Sequence, residues 1–130
     1  MKQVNKSNAY ENDHGNPKLY QELYSYDELI AVMTYNDMYA LRTIHVNVSQ
    51  WYPNGKPVAF CTATTRRHFA LWLERLNKLL DIPYPYELSY REIRSWYDYA
   101  CKIGDFSEQG TSGDYNTNSG IVIIFHRAGL

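Results

Sequence analysis

Charge of one sign, paired cysteines and long apolar runs are all scarce in this 130-residue chain. Each scarcity removes a class of function. With 13 basic against 14 acidic residues the net charge is -1, so neither coating of nucleic acid by bulk charge nor acidic mimicry of it fits. Any electrostatic polarity must be local. The two cysteines, Cys61 and Cys101, lack the paired spacings of a zinc or redox motif and are expected as buried free thiols. His14, His45 and His126 lie far apart with no i,i+4 repeat or HExxH-like spacing, so the pattern offers no metal hydrolase and no metal or cofactor is expected. No run approaches a membrane span and no basic-then-apolar leader opens the chain, giving the expectation of a soluble cytoplasmic protein.

What the chain does have is tyrosine, thirteen of them against three Trp and four Phe. Tyr couples a large rigid surface to a polar tip, which suits half-buried sheet faces and interaction surfaces alike. The length implies one domain, able to bury roughly two thirds of the surface its unfolded chain exposes. Residues 1–18 are polar and without apolar periodicity, and are expected to form a mobile arm ahead of a single domain spanning 19–130. Leu23 to Tyr35 reads as one strand, Asn36-Asp37 as a turn, Met38 to Val48 as a second strand and Val58 to Cys61 as a short third. Short links between them imply an antiparallel meander.

A helix follows from about Thr65 to Leu80, its apolar stripe made by Phe69, Trp72, Leu73, Leu76, Leu79 and Leu80. Asp81-Ile82-Pro83-Tyr84-Pro85 ends it. The next helix is the best specified element: Ser89 and Glu92 form an S-x-x-E capping box, and Leu88 can staple onto Ile93. Its buried stripe is Ile93, Trp96, Tyr97, Ala100 and Cys101, and Gly104 marks its end. Gly104 to Gly120 reads as a polar loop without Lys or Arg, before a buried strand at Ile121 to Phe125. The expected fold is therefore α+β in the order β-β-β-α-α-β: a mainly antiparallel sheet of about four strands packed by two helices, the last strand inserting beside the first.

Residues 62–103 hold seven basic and five acidic side chains, and three ionisable groups crowd one helix start: Arg66, Arg67 and His68. Positive charge there opposes the helix dipole by about a few tenths of a kcal/mol per residue. With the hydroxyls of Thr64 and Thr65, those groups make a trap for a phosphate or carboxylate. The plainer reading has one Thr capping the helix, both Arg solvating it and His68 resting against the sheet edge. Arg75 and Lys78 extend the basic side of the same helix. In the acidic loop, Phe106 and Tyr115 are candidate contact anchors. Asp114 to Asn118 imitates a calcium loop, but Ser119 stands where Gly is required and Phe125 where the bidentate Glu belongs. Cys61 with His68 could form a nucleophile pair, without an identifiable third group to orient it.

Ser25-Tyr26, Leu29-Ile30-Ala31 and Thr62-Ala63-Thr64-Thr65-Arg66-Arg67-His68 resemble a group of small phage-encoded proteins of unknown function. That group has an S-Y-x-x-[LPV]-[IV]-A strand ahead of a [ST]-x-T-T-x-[RK]-H helix start; Thr62 stands here where Ser is usual. The likeness spans about Tyr24 to Leu76 and leaves the second helix, acidic loop and last strand unmatched. It implies a mobile-element origin and, since small phage proteins often act by binding, a host protein as partner. The expectation is thus a non-enzymatic binding module engaging a host protein, as an inhibitor of a defence or nucleic-acid-processing system. Nucleic-acid binding through the basic helix is the alternative, and a small enzyme using His68 and Cys61 a distant third. Patches of both signs also permit homo-oligomers.

Overall fold

The computed structural model describes residues 2–3, 9–12, 15–26, 28–48, 63–103, 111–116, 119–126 and 130. Nine elements follow one another: β1 (Lys2–Gln3), β2 (Ala9–Asn12), β3 (Tyr20–Ser25), β4 (Glu28–Asn36), β5 (Leu41–Asn47), α1 (Ala63–Leu79), α2 (Tyr90–Ile103), β6 (Thr111–Asn116) and β7 (Val122–His126). The strands form one sheet in the order β1-β2-β3-β4-β5-β7-β6. Every ladder is antiparallel except β5 with β7. The α+β class and the two packing helices are as expected.

Alternation decides which way each strand faces. Leu23 on β3, Ala31 and Met33 on β4, Ile44 and Val46 on β5, and Ile123 and Phe125 on β7 are fully buried. They meet Phe69, Trp72, Leu73 and Leu76 of α1 and Ile93, Tyr97 and Ala100 of α2 in one core. The two stripes predicted from periodicity therefore pack on the sheet. Their outlying members, Leu79, Leu80, Trp96 and Cys101, are only partly buried at its margin. Trp72 Nε1 donates to Gln21 Oε1 over 2.8 Å, seating α1 above β3. The Tyr97 ring meets Phe125 edge-on, seating α2 above β7.

Five expectations need correction. Leu23 to Tyr35 is not one strand: β3 ends at Ser25 and β4 starts at Glu28. Tyr26 makes that turn at φ +52°, the left-handed conformation a two-residue hairpin requires and a non-glycine residue rarely adopts. The sheet has seven strands in place of about four, and residues 2–3 and 9–12, read as part of an arm, supply β1 and β2. Within the expected loop, Thr111–Asn116 is strand β6, paired antiparallel with β7. The last strand joins β5 and not the first strand, and does so in parallel, because β6, antiparallel to β7, carries the chain back to the end of the sheet at which β5 starts. The expected third strand, Val58 to Cys61, lies outside the described residues.

Local signals placed both helix ends of the inter-helix connection. The Glu92 N–H donates to Ser89 Oγ over 3.1 Å, half of the predicted capping box, while Leu88 and Ile93 are both buried. At the end of α1, Ile82 N–H reaches Asn77 O over 2.9 Å and Asp81 N–H reaches Lys78 O over 3.3 Å, with Asp81 at φ +51°. That is a Schellman motif with aspartate where glycine is preferred. Asn77 then clips the returning chain to α1: its Nδ2 donates to Leu88 O over 2.8 Å, and Leu88 N–H donates to its Oδ1 over 2.6 Å.

Candidate functional site

The site grows from the start of α1. The helix begins at Ala63, two residues ahead of the expected Thr65, so Thr64 and Thr65 sit in its first turn, partly buried. Thr62, the residue before it, lies outside the described residues. No acidic side chain occupies that turn, which leaves Arg66 and Arg67 exposed where the dipole is positive. Among the described residues neither guanidinium pairs with a carboxylate. The Arg66 guanidinium instead lies over the Tyr90 ring, 5.9 Å from its centroid. This contact ties the start of α1 to the start of α2.

His68 does not join them. The helix turns it inward, leaving 1 % of it exposed, and its Nδ1 stands 2.7 Å from Ser25 Oγ at the end of β3. Burial, helped by the Arg67 charge, holds its pKa below the ordinary imidazole value. As a neutral core residue, His68 leaves the anion trap of the sequence reading and the Cys-His pair with it. Cys61 lies outside the described residues. Ser25 with His68 has the composition of a nucleophile and a base, but Ser25 is 3 % exposed and the pair acts as a buried tie between strand and helix.

Between α1 and the chain returning from it runs a groove of about 550 Å³, walled by Ala70, Glu74, Tyr84, Pro85, Tyr90 and Arg91. Tyr84 is 86 % exposed at its rim and Tyr86 52 % exposed nearby in the chain. Arg91 is exposed, as is Lys78 one helix length away from Arg66; Arg75 is half-buried. Hence the Arg66–Tyr90 contact sets Arg66 beside the groove residues Tyr90 and Arg91, with Arg67 exposed next to it in the chain. Tyr115 stands on β6, paired in register with Ile123, remote in the sheet order from β3 and α1, and Phe106 lies outside the described residues.

Sequence reasoning missed three features. The exposed tyrosines of the inter-helix connection look like any turn residues in one dimension. Asn77 sits in the last turn of α1 with no motif around it. Finally, His45 and His126, far apart in the chain, stand side by side, Nδ1 to Nε2 over 2.9 Å. Only the β5–β7 pairing creates that contact.

No family model matches this chain, and no curated protein or solved structure matches it. No helix among the described residues is long and apolar enough to cross a membrane.

Proposed function

We propose that this chain is a non-enzymatic binding module whose partner is a protein with an acidic surface, engaged by the outer side of the helix layer. The observation that carries the reading is the exposed Arg66-Arg67 pair, held at the positive end of α1 with no described carboxylate to neutralise it. Its surroundings suit a protein partner better than a nucleic acid. Tyr84, Tyr86 and Tyr90 offer rigid aromatic surface beside the groove, and Tyr with Arg is the pairing that dominates protein interfaces.

In this proposal the resemblance to small phage proteins supplies the setting: a host protein in the host cytoplasm, with inhibition of a defence or nucleic-acid-processing system as the outcome. The test is affinity capture from host lysate by the wild-type chain and by the Arg66→Ala/Arg67→Ala double variant. A protein retained by the wild type through nuclease treatment, and lost at least tenfold by the double variant, is the expected result. Equal retention by both removes the site. Capture abolished by nuclease, with affinity falling steeply as salt rises, transfers the reading to nucleic-acid binding.

A further inference from the structure

On the sheet face opposite the helices, His45 projects from β5 and His126 from the neighbouring β7, both half-buried. In the parallel ladder His45 pairs with Ile124 and Asn47 with His126, so the two imidazoles are diagonal neighbours on one face. The Val48 N–H donates to His126 O over 3.0 Å and closes the ladder beneath them. Their ring centroids are 5.0 Å apart, tilted by 41°. His45 Nδ1 and His126 Nε2 face each other across 2.9 Å.

We infer that His45 and His126 form a two-imidazole clamp for a divalent first-row transition ion of tetragonal preference, Cu²⁺ ahead of Ni²⁺. Imidazole suits these ions, and bond length selects among them. Two neighbouring ligands about 2.0 Å from a tetragonal ion lie roughly 2.8–2.9 Å apart, whereas a tetrahedral zinc site at about 2.0–2.1 Å needs roughly 3.3–3.4 Å between nitrogens. The observed separation meets the tetragonal value, and turning each ring by roughly 45° from the hydrogen-bond line brings both lone pairs onto one ion. Zinc requires the strands' side chains to spread further.

Thr34 Oγ1 lies 3.5 Å from His45 Nε2, on the side of the ring away from His126. A proton on Nε2 aimed at that oxygen leaves the Nδ1 lone pair directed at His126, the tautomer a ligand needs. Without an ion, the His126 Nε2–H donates to that lone pair. On binding, the same proton moves to His126 Nδ1 through solvent, so the neutral pair takes up the ion with no net proton released. Among the described residues no group of three His, Cys, Asp or Glu converges there.

The test is titration of CuSO₄ and NiCl₂ into the untagged full chain, read by calorimetry, with pulsed electron paramagnetic resonance of the Cu²⁺ form. One Cu²⁺ per chain, two inequivalent imidazole nitrogens in the resonance spectrum and affinity in the order Cu²⁺, Ni²⁺, Zn²⁺ are expected. His45→Gln and His126→Gln should each weaken Cu²⁺ binding at least about tenfold, while His14→Gln leaves it unchanged. The spectrum of the wild type needs no variant: fewer than two imidazoles on the ion overturns the inference even if a substituted chain fails to fold. Undiminished affinity in folded His45→Gln overturns it as well, leaving the pair as a hydrogen bond between strands.

Discussion

Ser25 Oγ and His68 Nδ1 lie 2.7 Å apart although 43 residues separate them, and both residues are almost wholly buried. Ser25 ends β3 and His68 lies in the second turn of α1, so the contact is a polar tie that locks the strand end to the start of the helix. Ser25→Ala removes one partner and strands a buried imidazole nitrogen, which costs about 1–3 kcal/mol. Denaturant unfolding should show a lower midpoint with an unchanged slope, while partner capture by the folded fraction is retained.

The same tie gives stability a pH dependence. The folded His68 pKa lies below its unfolded value near 6.5, so the unfolded chain takes up protons first as pH falls. Its contribution is fully present above that value, is lost progressively as pH drops from about 6.5 towards the lower folded pKa, and then levels off. Urea midpoints measured from pH 8 to 5 should decline through this window in the wild type. The decline should be shallower in His68→Gln, which cannot titrate.

Asn77 holds both backbone groups of Leu88 at once, so Asn77→Ala deprives a buried N–H and a C=O together. The expected loss is about 2–3 kcal/mol, above that of an ordinary helix-surface substitution. Amide exchange at Leu88 should accelerate selectively in this variant. If exchange there stays as slow as in the wild type, the clip does not hold the connection.

Asp81 occupies a left-handed position at the end of α1, φ +51°, and sets a negative charge beside the negative end of the helix dipole. Asp81→Gly relieves both effects, and the greater freedom of glycine in the unfolded chain offsets part of the gain. A net stabilisation of about 0.5–1 kcal/mol is expected, visible as a higher thermal midpoint.

Trp72, on α1 over β3, and Phe125, on β7 under α2, anchor the two halves of the core. Phe125→Ala should cost about 3–5 kcal/mol by loss of burial and by the cavity left between α2 and the sheet. Near-ultraviolet circular dichroism would register the loosened Tyr97 environment before the helices melt.

Local chemistry was legible in the sequence. The S-x-x-E box, the apolar stripes of both helices and the Asn36-Asp37 turn depend on residues within one or two turns of each other. Asn36 Oδ1 indeed accepts the Met38 N–H over 3.0 Å. The break at Tyr26 was hidden because no glycine, proline or Asn-Gly pair announces it, and the chain takes up a left-handed residue there against intrinsic preference. Strand β6 was hidden for a related reason: Gly113, Asp114 and Asn116 are poor strand formers, and pairing along β7 imposes the extended form.

By itself the sequence determined the class of the fold, the two helices with their buried faces, and the arginine pair at the start of α1, because periodicity, caps and charge order are set by near neighbours. Tertiary structure alone decided that His68 serves Ser25 in the interior and not an outside anion, that β7 runs parallel to β5, and that His45 meets His126. Contacts between residues tens of positions apart carry no local signal, since they exist only once burial of the common apolar face has fixed the strand order.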